Sequence, residues 1–277
     1  MTRASHRSLF LPLMAGLVLL SWGLLFLWGS SSYGRYLNHG TWDDRALIAA
    51  LCQSLPAGEL VLPLVLYVGG WVLMLVVMML PTTLPLLEIF RRLTRKRPDA
   101  GRLMLFLIAG YLGIWTAFGV VAHALDWGLF QIVSQSSWLQ LNGWVMGAVI
   151  LFTAGLFQFS PLKYRCLEKC RTPLSFVVER WRGRQHGRQA FLLGVHHGLF
   201  CVGCCWALMM LMFVVGTGNL GWMLVLAVLM GIEKNTAWGQ RISVPLGLGL
   251  LFWAGLLVYQ NLLSGPFVLA LVGWSAP

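Results

Sequence analysis

Residues Phe191–Val215 read FLLGVHHGLFCVGCCWALMMLMFVV, a run without a carboxylate, lysine or arginine. A helix needs roughly 20 apolar residues to cross about 30 Å of hydrocarbon. The run therefore reads as a membrane-spanning helix. It also holds His196, His197, Cys201, Cys204, Cys205, Met209, Met210 and Met212. Ionisable groups at membrane depth are costly and mark a site. Thiolate, imidazole and thioether together are what soft or borderline metals such as Cu(I) and Zn(II) select.

On a helix, His197, Cys201, Cys204, Cys205, Leu208 and Met212 share a face about 100° wide, the usual width of a buried stripe. His196 points elsewhere. One intramembrane cysteine is ordinarily a small apolar residue, but three within five positions, one turn from a histidine, form a ligand pattern. Cys-x-x-Cys also fits a redox-active pair or a disulfide. Placement near the middle of the span favours metal. Gly203 allows a neighbouring helix to come close.

Working outward, six further apolar runs of similar length appear, at Leu9–Trp28, Leu60–Leu80, Leu103–His123, Leu139–Phe159, Leu220–Trp238 and Ile242–Leu263. The chain is 58% hydrophobic and only 10% charged, against roughly 25% charged in a soluble domain. We expect an all-α, polytopic membrane bundle of about seven helices forming a single domain over 1–277. The first run is long for a signal-peptide core and lacks a small-x-small cleavage site, so it reads as a retained helix. With the N-terminus inside, eighteen of the twenty Lys and Arg fall in inner segments, leaving Arg35 and Arg45 outside. Because cytoplasmic loops collect basic residues, this predicts an N-in, C-out topology. It also accounts for the net charge of +11 without nucleic acid as a partner; the lipid bilayer is the partner implied.

The two large non-membrane pieces are an outer loop at about 29–59 and a basic inner loop at about 160–189. Thr41 is a candidate N-cap for a short helix near Trp42–Leu51. Pro161–Arg171 mixes apolar and basic residues as an interfacial helix would. Its Cys166 and Cys170 share a helix face, with Lys163, Arg165, Lys169 and Arg171 nearby to favour thiolate. In the second run, Met74 and Met78 lie on one side, and Pro81 is expected to kink or end the helix. A methionine stripe is usually packing. It becomes ligating if the second and fifth spans are neighbours with Met74 and Met78 turned toward Cys201 and Cys204.

Glu233-Lys234 reads as a boundary pair snorkelling to the inner interface, or alternatively as a cation or proton group on a path. His39, Asp43, Asp44, His123 and Asp126 read as solvated surface groups, with metal capture at the outer side as the alternative. No phosphate loop, nucleophile–base pairing or dinucleotide fingerprint occurs, and no catalytic residue is assigned.

Four segments carry a resemblance: Trp71–Pro85 (W-x-x-M-x-x-x-M-M-L-P-x-x-x-P), Ser160–Pro173 (S-P-L-K-x-x-C-L-x-x-C-R-x-P), His197–Met212 (H-G-L-x-C-x-G-C-C-W-A-L-M) and Asn219–Lys234. On these, the chain resembles the bacterial family of predicted metal-binding integral membrane proteins of unknown function. The resemblance implies metal binding in a bacterial inner membrane, and no reaction.

The leading expectation is a multi-pass, non-enzymatic protein that binds copper, as Cu(I), with zinc as the alternative metal, for transfer, delivery or metalloenzyme assembly. Cys201, Cys204, Cys205 and His197 are the primary candidate ligands and Met74, Met78 and Met212 secondary ones. Cys166 and Cys170 would exchange metal at the inner face, with a metallochaperone or a larger membrane complex as partner. Two other classes stay open. One is an accessory subunit whose Cys, Met and Trp pack against partners or a cofactor. The other is a thiol redox enzyme.

Overall fold

The computed structural model describes residues 5–30, 61–182, 185–215, 219–236 and 238–264. Among these, eleven α-helices and no strand are present: α1 (Ser5–Gly29), α2 (Val61–Met79), α3 (Leu84–Thr94), α4 (Ala100–Ser134), α5 (Ser137–Leu141), α6 (Trp144–Phe157), α7 (Pro161–Arg171), α8 (Pro173–Arg180), α9 (His186–Val215), α10 (Leu220–Asn235) and α11 (Gly239–Ser264). The all-helical expectation holds. The outer loop, with Arg35, His39, Thr41, Asp43, Asp44 and Cys52, lies outside the described residues.

Among the described residues, three helices, α4, α9 and α11, are long and apolar enough to cross a membrane. Two bent pairs raise the number to five if each is one span: Val68–Met79 with Pro81–Thr94, bent by 41°, and Trp144–Phe157 with Pro161–Arg171, bent by 64°. The third expected span is longer than its apolar run, because α4 continues through Asp126 to Ser134. The sixth is shorter, since α10 has 16 residues and ends at Asn235.

Local chemistry sets these breaks. Pro81 cannot donate a backbone hydrogen bond, so α2 stops at Met79 and a 3₁₀ turn follows over Pro81–Thr83. The Thr82 and Thr83 hydroxyls donate to the Met79 and Leu80 carbonyls at 2.8 Å each, occupying acceptors near the break. At the second bend, Ser160 caps α7 by accepting from the Lys163 N–H at 3.1 Å, with Pro161 in the first turn. Pro suits that position because its missing N–H is an orphan there anyway.

The centre of the bundle is α9, whose apolar window is 61% buried, against 28% for α4 and 22% for α11. It packs on α4, α6, α7 and α10. The α4–α9 seam needs glycine. A Cβ at Gly194 would sit 2.0 Å from the Leu107 carbonyl oxygen, and one at Gly110 would sit 2.2 Å from that of Phe191. Backbones that close tolerate no side chain, which is how small residues build apolar helix interfaces.

Candidate metal centre

The stripe expected on α9 is buried in full: His197 is 3% exposed, and Cys201, Cys204, Cys205, Leu208 and Met212 are each 1% exposed or less. His196 is exposed and its Nδ1 contacts the Leu192 carbonyl at 2.8 Å. The i, i+3, i+4 spacing therefore picks out the buried face correctly.

The second pair of thiols joins this face. The 64° bend turns α7 inward against α9, so the expected interfacial helix is a half-buried one. Lys163, Cys166 and Leu167 face the core, while Arg165, Glu168 and Lys169 stay exposed. Cys166 lies over Gly203, where a Cβ would come within 2.7 Å of its Sγ. The close approach expected at Gly203 is thus made by α7. Cys170, half-buried, packs against the core that holds Cys166, Cys201, Cys204 and Cys205. Cys166, Cys170, Cys201, Cys204 and Cys205, all free thiols, form one cluster between two helices rather than an inner-face pair and a separate mid-span group.

Cys201 is the hub. Its Sγ accepts from the Lys234 ammonium at 2.9 Å and lies 3.1 Å from the Tyr111 hydroxyl, which also donates to the Met79 carbonyl at 3.3 Å. Lys234 further donates to Cys205 Sγ at 3.6 Å and to Thr82 Oγ1 at 3.4 Å. The Cys204 and Cys205 thiols donate to the Cys201 carbonyl at 3.1 and 2.8 Å.

These contacts correct the snorkelling reading of Glu233-Lys234. Both residues are buried, 2% and 6% exposed, and they do not pair with each other. Glu233 accepts from Lys163 at 2.6 Å and from Ser243 at 2.8 Å. Lys163 also donates to Gln158, and Arg171 donates to the Glu233 backbone carbonyl at 3.0 Å. Lys163 and Arg171 thus both reach Glu233, and Lys234, from α10, is a cation that donates to the thiols. Tyr111 and Thr82 belong to the site as well, and no local motif in the sequence marks them.

Met74, Met78 and Met212 are buried in the same core as the thiols, with Met79, Met209, Met223 and Met230. The direct α2–α9 seam expected from the methionine stripe is not the main packing of α2, which lies against α1, α4 and α10. It meets α9 through side chains: Trp71 has its ring centroid 6.4 Å from that of Phe213, and Tyr111 and Lys234 bridge at the other end. His197 is held between the Tyr111 and Phe176 rings at 5.8 and 5.6 Å, and its Nδ1 is buried with no hydrogen-bond partner among the described residues. His123 is half-buried against Trp71 and Phe213 rather than solvated.

Among the described residues, no three His, Cys, Asp or Glu side chains stand around a common point in metal-holding geometry. The thiols are turned instead to the carbonyl, phenol and ammonium groups just named. Their chemistry nonetheless fits a soft cation, because sulfur donors select Cu(I) or zinc over hard ions.

Fold and site together define an apolar helical protein with a soft-donor core. The model of a family described as PpoB2, copper chaperone, matches residues 68–257. The chain belongs to that family, and the matched segment contains all nine candidate ligands. Comparisons with curated proteins and with solved structures return no match.

Proposed function

We propose that this protein is an integral membrane copper carrier that takes up Cu(I) on the α7–α9 thiol cluster and passes it to a metalloenzyme or to a complex under assembly. The observation that carries this reading is the convergence of Cys166 and Cys170 with Cys201, Cys204 and Cys205, inside a core that also buries His197, Met74, Met78 and Met212. Copper is the cargo. Hand-over between thiolates needs only ligand exchange, in keeping with the lack of a nucleotide motif and with a non-catalytic role. Loading requires thiols that now point to the Cys201 carbonyl to turn toward the ion. Cys166 and Cys170, on the helix nearer the basic loop, are the natural point of entry or exit for a metallochaperone.

The copper content of the full chain purified in detergent tests this reading. Wild type should carry copper, Cys204→Ser much less, and Cys52→Ser as much as wild type. Serine is a harder and far less acidic ligand, so a soft ion loses affinity steeply. Copper at background level in wild type, or equal in all three proteins, would reject the carrier.

We further propose seven spans in a bacterial inner membrane, N-in and C-out, with α1 and α10 added to the five segments above. Two observations support this arrangement. The basic residues are biased to one side, and the Pro81 turn, the α6–α7 bend and the end of α10 meet through Thr82, Gln158, Lys163, Glu233 and Lys234. A reporter fused after Pro277 should be extracytoplasmic, and one inserted within 163–188 cytoplasmic. Finding both on one side of the membrane would reject this topology.

A further inference from the structure

Lys234 is unusual among the buried groups. The residue is 6% exposed and its ammonium donates to Cys201 Sγ, Cys205 Sγ and Thr82 Oγ1. The adjacent carboxylate, Glu233, is engaged by Lys163 and Ser243, and among the described residues no carboxylate pairs with Lys234. A charge away from water is tolerated only when paired. Among the described residues, the ionisable groups that accept from this one are sulfurs. A positive charge is therefore built into the thiol cluster.

We propose that Lys234 is the resident counter-charge of this cluster and biases it toward a monovalent soft cation, Cu(I), over divalent zinc. This rests on reading the cluster as metal-binding. For any given number of thiolates, a Cu(I) complex is one charge more negative than the zinc complex. A fixed ammonium beside the sulfurs therefore attracts the copper complex more strongly, and low dielectric magnifies the difference. With two thiolates, Cu(I) and Lys234 sum to zero, whereas zinc and Lys234 leave an uncompensated charge of +1. Lys234 need not touch the metal for this to operate, so it is a specificity-determining residue and not a ligand. Glu233 acts one step further out, because its pairing with Lys163 leaves Lys234 to the sulfurs.

The test is a competition between Cu(I) and Zn(II) for the full chain in detergent, with both bound metals measured by elemental analysis. The proteins are wild type, Lys234→Arg, Lys234→Met and Lys234→Gln, each checked for folding by thermal unfolding. The copper-to-zinc ratio should fall by about tenfold or more in the Met and Gln variants, as expected for removal of a buried charge partner. Lys234→Arg should stay within about threefold of wild type, because arginine keeps the charge. Gln retains a polar head, which provides a folded neutral variant where Met does not fold. An unchanged ratio in a folded neutral variant, or tighter copper binding there, overturns the inference while wild-type copper binding leaves the carrier reading intact. Wild type that binds neither metal overturns both.

Discussion

Replacing Cys166 and Cys170 with serine is expected to strip copper from the protein about as thoroughly as replacing Cys201, Cys204 and Cys205. The reason is geometric. Gly203 lets Cys166 lie directly on α9, and Cys170 packs against the same core, so the proposed donor set includes the α7 pair. Changing an outer-shell group of a metal site alone costs about 10–100-fold in affinity, and losing two sulfurs from the primary set should exceed that. Titration of both serine variants with Cu(I) against a soluble chelator measures the loss. If the Cys166/Cys170 variant holds copper like wild type while the α9 triple variant does not, α7 is a packing helix and α9 holds the metal alone.

The sequence makes α9 legible because everything needed is local. Apolar length, helical period and three cysteines within five residues identify the buried face without tertiary information. His196 and His197 are separated correctly on the same grounds. Pro81 likewise marks the end of α2. The rest of the site is assembled from pairs far apart in the chain: Lys234 with Cys201 across 33 residues, Tyr111 with Cys201 across 90, and Thr82 with Lys234 across 152. No periodicity reports such pairings. The inner loop misleads for a related reason. Its charges suggest a helix lying at the surface, yet the bend at Gln158–Ser160 rolls Lys163, Cys166 and Leu167 into the core. Two isolated thiols thereby become part of a five-thiol cluster. The Glu233-Lys234 dipeptide shows the same limit. Adjacent opposite charges near a helix end look like one surface pair, whereas each residue serves a different helix.

Glu233 and Lys163 form an ion pair inside the bundle. Lys163 has no exposed side-chain surface and Glu233 has 2%, so neither charge is shared with bulk water. Glu233→Ala should cost about 3–5 kcal/mol, the usual penalty for leaving one partner of a buried pair uncompensated. It should lower the thermal midpoint in detergent by on the order of 10 °C. Removing both charges with Lys163→Met and Glu233→Leu should recover much of that loss, because two apolar residues of similar volume replace a pair that is itself expensive to desolvate. The double variant separates two roles. Recovery of stability with copper binding intact makes the pair a brace holding α7 and α10 together. Recovered stability with a lowered copper-to-zinc ratio means that the pair also sets the position of Lys234, since losing the Glu233 anchor frees the end of α10 to shift the ammonium off Cys201. A Glu233→Ala protein as stable as wild type would contradict the assignment of a buried charge pair away from bulk water, and with it the account of how α7 is braced against α10.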